Sequence, residues 1–313
     1  MEKNDKIYVA GHKGLVGSTI LRKLQTQDFQ NLIYRSSEEL DLRIQQEVNA
    51  FFESERPEFV FLAAAKVGGI FANSHQPAEF IYDNLAIQMN IIHNAYRFGV
   101  KKLLFLGSSC VYPKFAKQPI HEEYLLTSEL EPTNEPYAIA KIAGVKMCQY
   151  YNRQYGTHFI SIMPPNLYGP NDNFHGQNAH VLASLLHKFH TAKITAASKV
   201  TVWGSGKPLR EFLHVDDLAD ACLFLMNSYD SNEILNVGTG EELSIADLAN
   251  MIKEIVGYQG EIEFDVSKPD GTYRKLLDVS RINKLGWKSR IDLENGIRQT
   301  YNWYLDNLNH LRI

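Results

Sequence analysis

Ser108, Tyr137 and Lys141 are residues of this chain whose types and spacing could do chemistry. Tyr137 and Lys141 are four positions apart, so on a helix they share one face, and Pro136 suits the first turn of that helix. A phenol beside an ammonium group is a proton donor whose pKa the charge can lower. Ser108 could hydrogen-bond the same substrate oxygen. The alternative for the pair is a solvated lysine beside a core tyrosine.

A short buried strand must position Ser108. Leu103 to Leu106 is a continuous apolar run that ends at Gly107, which is typical of a buried strand in a parallel sheet. Ser108, Ser109 and Cys110 follow at its carboxyl end. Open α/β sheets bind their ligands just beyond that end, so the sequence predicts a ligand site there.

A glycine-rich turn near the amino terminus predicts a nucleotide site. Lys6 to Ala10 predicts a strand, Gly11, Gly14 and Gly17 follow, and an amphipathic helix runs to about Leu24. A strand, a glycine turn and a helix in this order place a pyrophosphate at the helix amino terminus. The glycines permit a tight turn and close approach of the backbone. The spacing is G-x-x-G-x-x-G, and an ordinary glycine-rich turn is the alternative.

The end of the second predicted strand, Asn31 to Tyr34, indicates which dinucleotide binds. An NAD site usually has an acidic residue near this point, for the ribose hydroxyl. Here the chain has Arg35, followed by two serines, and Lys13 lies in the glycine turn. Two cations favour a 2′-phosphate, and therefore NADP. The alternative is a solvated surface arginine.

Strands alternate with helices along the rest of the chain. We predict further helices at 47–53, 77–98, 136–155, 180–190, 244–256 and 293–305, and further strands at 59–65, 158–163, 200–203, 234–237 and 262–264. This alternation predicts an α/β fold, a Rossmann-type doubly wound parallel sheet with a smaller α/β carboxy-terminal substrate lobe. We expect residues 1–170 to form the first domain, with 214–240 returning to it, and residues 171–213 and 241–313 to form the second lobe. The Pro-, Gly- and Asn-rich stretch 164–178 predicts a functional loop.

Composition excludes several classes of protein. The 313 residues are 44% hydrophobic with a net charge of -4, so there is no basic excess to neutralise nucleic-acid phosphates. No apolar run approaches the ~20 residues of a membrane span, and the polar amino terminus predicts no signal peptide. Three scattered cysteines, at 110, 148 and 222, favour reduced thiols and a cytoplasmic location. No Cys-x-x-Cys or His-Glu-x-x-His motif predicts a metal site.

Many segments of the chain, in order, resemble the extended short-chain dehydrogenases/reductases that modify nucleotide sugars. They are GHKGLVGS, AAAKVGGI, GSSCVYP, EPTNEPYAIAKIAG, NLYGPNDNFH, VWGSG, REFLHVDD, NVGTG and SKPDG. The resemblance implies a GDP-sugar substrate with a ketone at C4, two inversions at C3 and C5, and then reduction of C4 by NADPH. It also implies a homodimer through a four-helix bundle of helices 77–98 and 136–155. Excess apolar surface on helix 77–98 fits a partner subunit and core packing equally well.

Cys110 narrows the activity within that family. A thiol beside a carbonyl-binding Ser–Tyr pair can act as a general base on the carbon next to the carbonyl. The alternative role for Cys110 is that of a small, buried hydrophobic residue. The resemblance implies that Cys110 and His180 form the acid/base pair for the inversions, whereas an isolated histidine is more often a surface or capping residue. It assigns reduction to Ser108 and Tyr137, with Lys141 also holding the nicotinamide ribose.

The resemblance further implies which residues hold the ligands. For the cofactor they are Gly11, Lys13, Gly14, Leu15, Val16, Gly17, Arg35, Asp41, Leu42, Leu106, Gly107, Ser109, Lys141, Pro164, Asn166, Leu167 and His180. For the GDP-sugar they are Asn166, Lys188, Trp203, Arg210 and Asp270. An aromatic ring can stack and an arginine can bind a diphosphate, although Trp203 could also be a core residue. The family commonly has arginine where this chain has Lys13 and Lys188, and lysine keeps the charge without the bidentate geometry.

Two rival functions stay open at this point. A 4-epimerase or 4,6-dehydratase would hold NAD tightly through turnover, and Cys110 argues against it. A nicotinamide-sensing binding protein on the same fold would have no need of the Ser108–Tyr137–Lys141 set.

Overall fold

The computed structural model describes residues 1–174 and 179–311. Its helices are α1 (Leu15–Thr26), α2 (Gln45–Glu55), α3 (Ile70–His75), α4 (Pro77–Arg97), α5 (Glu135–Tyr155), α6 (Val181–Ile194), α7 (Val215–Ser228), α8 (Ile245–Val256), α9 (Ser280–Lys284) and α10 (Leu293–Asp306). Its strands are β1 (Ile7–Ala10), β2 (Leu32–Ile33), β3 (Phe59–Leu62), β4 (Lys102–Leu106), β5 (Phe159–Met163), β6 (Asn166–Tyr168), β7 (Lys199–Trp203), β8 (Leu209–Arg210), β9 (Phe212–His214), β10 (Leu235–Asn236), β11 (Leu243–Ser244), β12 (Glu261–Asp265) and β13 (Arg274–Lys275). Short 3₁₀ helices lie at Ser109–Val111, Glu122–Tyr124 and Leu308–His310.

Six parallel strands form the main sheet, in the order β10-β5-β4-β3-β1-β2. Every residue of β1, β3, β4 and β5 is buried, which explains their continuous apolar sequences, because helices cover both faces of the sheet. The predicted Rossmann-type fold is confirmed. Strand β10 pairs with β5, so the segment around residue 235 returns to this sheet as expected.

The strand order creates a ligand crevice. From β1 the chain moves outward to β2 and then crosses back to β3 on the other side of β1. Helices α1 and α7 pack together on one face, and α2, α4 and α5 cover the other. In such sheets, ligands bind outside the carboxyl ends of the strands at the point where the order reverses.

A separate hydrophobic cluster supports the predicted second lobe. Its buried members come from residues 168–202, 212 and 245–311, and they include Phe189, Leu248 and Tyr304. Strands β7 and β12 pair in parallel, while β11, β8 and β13 form a three-stranded sheet. Stretch 164–178 was expected to be a loop. This is wrong for Asn166–Tyr168, which form β6 and pair with β9, and residues 175–178 lie outside the described ranges. Among the described helices, none has the length and apolar character needed to span a bilayer.

Glu211, which lies between β8 and β9, ties together three other segments of the chain. The residue is fully buried, and its Oε1 accepts the backbone N–H groups of Thr239 at 2.7 Å and Gly240 at 2.9 Å. Its Oε2 accepts the N–H of Leu277 at 2.9 Å, and its carbonyl accepts Nδ2 of Asn166 at 2.9 Å. Burial raises the pKa of this carboxyl group, and the backbone hydrogen bonds oppose the increase. The carboxylate therefore acts as a clamp between the segment at 239–240 and Leu277, directly after Arg210 of β8 in the chain.

Replacing the clamp should destabilise the protein. The change Glu211→Ala leaves the buried N–H of Leu277 and the partly buried N–H groups of Thr239 and Gly240 without an acceptor, so we expect the free energy of unfolding to fall by about 3 kcal/mol. Urea denaturation followed by circular dichroism measures it. The matched control is Glu241→Ala, at an exposed site, which should cost less than about 0.5 kcal/mol. Equal losses in the two variants would contradict the clamp.

Candidate active site

The glycine turn between β1 and α1 is built for close approach of the backbone to a ligand. Gly11 has a φ of +87°, and a Cβ there would lie 2.7 Å from the nitrogen of Ala64. A Cβ on Gly17 would lie 2.1 Å from the Gly11 carbonyl oxygen, so neither position accepts a side chain. Gly14 begins α1 without a side-chain cap, which leaves helix N–H groups to bind an anion. These features fit the pyrophosphate of a dinucleotide.

The two cations predicted beside the 2′-phosphate differ in the structure. Lys13 is exposed in the glycine turn. The Arg35 guanidinium pairs with Glu55 of α2 at 2.7 Å, and it also donates to the carbonyl of Tyr34 at 2.9 Å. Lys13 is therefore the more accessible of the two cations for a phosphate. Arg35 would have to give up its contact with Glu55 or with the Tyr34 carbonyl to bind one.

The other predicted cofactor residues fall in three places. Leu15 and Val16 start α1, Asp41 and Leu42 lie between β2 and α2, and Leu106, Gly107, Ser109, Pro164 and Leu167 lie at or after the ends of β4 and β5. The N–H of Ser109 donates to the carbonyl of Pro164 at 3.0 Å, which joins those two strand ends. The Asp41 carboxylate pairs with Arg43 at 2.8 Å within its own loop.

Ser108 and Cys110 lie together where β4 ends. The Ser108 hydroxyl accepts the N–H of Cys110 at 3.3 Å and caps the short 3₁₀ helix that follows. Cys110 is buried, and burial raises the pKa of its thiol. The positive charges of Lys275 and Lys141, together with a hydrogen bond to Ser108, oppose that increase. Only the thiolate form of this side chain can accept a proton, and the two cations and the Ser108 hydrogen bond favour that form.

Tyr137 and Lys141 occupy the first two turns of α5. Lys141 donates from Nζ to the Leu106 carbonyl at 2.8 Å, and Nζ lies 5.7 Å from the ring centre of Tyr137. Burial lowers the pKa of Lys141 to about 8. The expected lowering of the Tyr137 pKa is wrong for this structure, because burial raises it and the nearby Cys110 adds to the rise. Tyr137 therefore keeps its proton near neutral pH, as a proton donor must.

Helix α6 carries two of the predicted residues. His180 is its N-cap residue, and Nδ1 of the imidazole lies 3.7 Å from Oδ1 of Asp172. Lys188 donates to the carbonyl of Thr201 at 3.0 Å, and its Nζ lies 5.4 Å from the ring centre of Trp203. Trp203 is 47% exposed, so the core alternative for this residue is wrong. Its ring is available for stacking.

Arg210 and Asp270 contact each other beside this surface. Nη2 of Arg210 donates to the carbonyl of Asp270 at 3.3 Å, and burial lowers the pKa of the guanidinium. The Asp270 carboxylate accepts the N–H of Ser205 at 2.7 Å and its hydroxyl at 2.8 Å. Asp270 thus shapes the turn after β7, and Arg210 supplies the positive charge.

Three polar residues of this region escaped the sequence analysis. Lys275 of β13 is paired in register with Arg210 of β8, and it faces the charges of Cys110, Arg210 and Glu131. Glu131 pairs with Lys114 at 3.1 Å. Asp172 lies in the Pro- and Asn-rich stretch. Only their positions beside predicted motifs could have indicated them, since two-residue strands show no periodicity.

The parallel sheet and the glycine turn define a Rossmann-type, dinucleotide-binding protein. A model of the "NAD dependent epimerase/dehydratase family" matches residues 7–238, and the chain belongs to that family. The expected family resemblance is confirmed.

Similar proteins narrow the class further. GDP-L-fucose synthase 1 of Arabidopsis thaliana is 60% identical over 307 residues, which cover 98% of this chain and 95% of the relative. A GDP-L-fucose synthetase from Naegleria fowleri, solved bound to NADP, has a TM-score of 0.92 and 32% identity over 100% of this chain and 98% of its own. A GDP-6-OMe-4-keto-L-xylo-heptose reductase from C. jejuni has a TM-score of 0.95 and 43% identity over 98% and 99%.

A side chain at Gly17 should block the dinucleotide. We expect Gly17→Ala to weaken NADPH binding at least about tenfold, because the methyl group displaces the Gly11 carbonyl and with it the turn. Quenching of protein fluorescence by NADPH gives the dissociation constant. The control is Thr26→Ala, at the exposed far end of the same helix, which should bind normally. Normal binding by Gly17→Ala would refute this assignment of the turn.

Proposed function

We propose that the protein converts GDP-4-keto-6-deoxy-D-mannose into GDP-L-fucose. It inverts C3 and C5 and then reduces the C4 ketone with NADPH. The observation that carries this proposal is the placement of Cys110 directly beside the Ser108–Tyr137–Lys141 set, at the carboxyl edge of a dinucleotide-binding sheet. The relatives named for this activity support the substrate.

The inversions use an enolate. The C4 ketone acidifies the protons on C3 and C5, and the thiolate form of Cys110 removes one of them and becomes a neutral thiol. Hydrogen bonds from Ser108 and Tyr137 stabilise the negative charge that develops on O4. His180 returns a proton to the opposite face of the carbon, which inverts it. A second cycle at the other carbon completes the epimerisation once both groups have exchanged protons with solvent.

Reduction uses the same oxygen contacts. NADPH, when bound, supplies the hydride for C4. Tyr137, whose pKa is raised by its partly buried position, keeps its proton near neutral pH and delivers that proton to O4 while Ser108 holds the oxygen. The Lys141 ammonium, anchored on the Leu106 carbonyl, lies close enough to Tyr137 to stabilise the phenolate that results, and it holds the nicotinamide ribose. Lys13 and the glycine turn hold the phosphates.

The GDP group is held on the smaller lobe. Trp203 is exposed, so a flat base can stack on its ring, and Lys188 and Lys268, each with Nζ 5.4 Å from the ring centre, add positive charge beside it. Arg210 is buried among polar groups and suits the diphosphate. With GDP held in this way, the sugar would extend toward Cys110. The positive charge of the neighbouring Lys275 also acts on the Cys110 thiol.

One incubation tests the function. The enzyme is given GDP-4-keto-6-deoxymannose and NADPH in heavy water, and nicotinamide absorbance and product NMR are recorded. We expect NADPH oxidation with deuterium fixed at both C3 and C5. Oxidation without deuterium would mean a plain C4 reductase, the kind of activity that the C. jejuni relative is named for. Bound NAD after purification, without net oxidation, would favour a 4-epimerase or dehydratase.

Variants separate the two half-reactions in the same assay. Cys110→Ser should lose deuterium incorporation, and Tyr137→Phe should slow NADPH oxidation about 10²-fold or more. Cys222→Ser, at a buried thiol of the α7 face, is the matched control and should do neither. Normal epimerisation by Cys110→Ser would remove the thiol from the mechanism.

We also propose a homodimer through a four-helix bundle. Helices α4 and α5 pack side by side, and their outer surface exposes Tyr82, Met89, Ile139 and Tyr150 at 67%, 49%, 41% and 59%. Apolar residues at this density on two adjacent helices suit a matching face on a second copy. The bundle would consist of α4 and α5 from each subunit.

A charge on this face should separate the subunits. We expect Met89→Glu to shift the protein toward a monomer in sedimentation-velocity runs, because two carboxylates would be buried across the symmetry axis. Leu285→Glu, at a similarly exposed leucine on another face, should leave the oligomer unchanged. A protein that is already monomeric before substitution would disprove the bundle.

A cytoplasmic location completes the proposal. Cys110, Cys148 and Cys222 are all free and buried, which suits a reducing compartment.

A further inference from the structure

Asp172 is a buried carboxylate with incomplete partners. The residue is 4% exposed, and its Oδ1 accepts the N–H of Asn173 at 2.8 Å. Its Oδ2 is buried and has no hydrogen-bond partner within the described ranges. A buried carboxylate is costly unless a cation or several donors face it. The His180 imidazole, with Nδ1 at 3.7 Å from Oδ1, is such a cation when protonated.

His180 is in a position that would otherwise favour the neutral imidazole. It occupies the N-cap position of α6, but its side chain makes no capping hydrogen bond. The positive end of a helix dipole disfavours a cation there. Burial also lowers the pKa of the imidazole, yet Asp172 outweighs burial and the pKa lies above its ordinary value. Within the described chain, Asp172 is the charged group with a resolved effect on this imidazole.

A comparison with Asp217 shows how the contacts of Asp172 differ from those of a carboxylate with a structural role. Asp217 is similarly buried, and its Oδ2 accepts two backbone N–H groups, from Arg290 at 3.0 Å and Ile291 at 2.9 Å. Asp217 therefore ties two segments together. Asp172 instead accepts one N–H group from its own neighbour and directs the remaining charge to His180. Its contacts suit electrostatic control of the histidine better than cross-linking of the fold.

We propose that Asp172 is the positioning residue of the epimerase acid: its carboxylate holds Nδ1 of His180, keeps the imidazole protonated, and leaves Nε2 to deliver a proton to the enolate carbon. A histidine whose Nδ1–H faces a carboxylate presents the other ring nitrogen in a fixed orientation. This role rests on the proposed function, since it acts through the inversion step. No proton is gained or lost by Asp172 itself.

A histidine titration tests the pair without turnover. The protein is labelled with ¹³Cε1-histidine, the His180 signal is assigned with His180→Gln, and NMR spectra are recorded from pH 5 to 9. In Asp172→Asn the His180 midpoint should fall by about one pH unit or more, and Asp172→Glu should restore most of it. Asp230→Asn is the matched control, because Asp230 pairs with the exposed His158 at 2.8 Å. An unchanged His180 midpoint in folded Asp172→Asn would overturn the proposal.

The pH dependence of turnover distinguishes two roles for Asp172: control of the protonation of His180, and support of the fold alone. Deuterium incorporation by Asp172→Asn should approach the wild-type rate at low pH, fall behind between the lowered midpoint and the wild-type midpoint, and stay about tenfold behind above both for a shift of about one pH unit. Asp172→Glu should follow the wild-type profile. A deficit of the same size at every pH would indicate a structural role only and would overturn the proposal. Wild-type protein that incorporates no deuterium would refute the proposed function instead, whatever the titration shows.

Discussion

The hydrogen bond from Lys141 to the Leu106 carbonyl fixes the geometry on which the site depends. It joins α5 to the last residue of β4, with an ammonium that is otherwise buried against Phe105. Ser108 and Cys110 follow Leu106 within four residues, and Tyr137 lies one turn before Lys141, so one contact sets the spacing between the hydroxyl, the thiol and the phenol. Gly144 permits the helix to come this close, since a Cβ there would lie 2.4 Å from the Phe105 ring. Burying the Lys141 ammonium to make this contact costs solvation free energy, and the lowered pKa of Lys141 reflects that cost.

The electrostatics of the site differ from those of the chain as a whole. The net charge is -4, yet the described site gathers Lys141, Lys188, Arg210 and Lys275, each of which has a pKa lowered mainly by burial. Cations held out of water are poised for an anionic ligand, because the ligand replaces the solvation that they lost. Composition could exclude a nucleic-acid surface, but it could not locate this local excess.

Long elements with strong patterns were predictable from the sequence, and short ones were not. The buried strand 103–106 and the long helices at 77–98 and 136–155 carry enough residues for their apolar pattern to be decisive, and the structure confirms them. Strands β6, β8, β9 and β13 have two or three residues each and exist because they pair with segments far away in the chain. That pairing brings Lys275 beside Arg210, which spacing alone does not predict. Likewise, the sequence identified Tyr137 and Lys141 as a pair but could not weigh burial against charge.

Helix α5 has one side that is buried and another that exposes apolar residues. Ala138, Lys141 and Val145 face the sheet and are buried, while Ile139 and Tyr150 lie on the outer surface assigned to the second subunit. A substitution on the inner side would alter the spacing between Tyr137, Lys141 and the end of β4, and one on the outer side would alter the proposed subunit contact. Few positions along the helix can therefore change without affecting one of these two sides. A substitution that improves one side must also be compatible with the other. The chemistry and the quaternary structure of this protein would thus have to evolve together, through a single 21-residue segment.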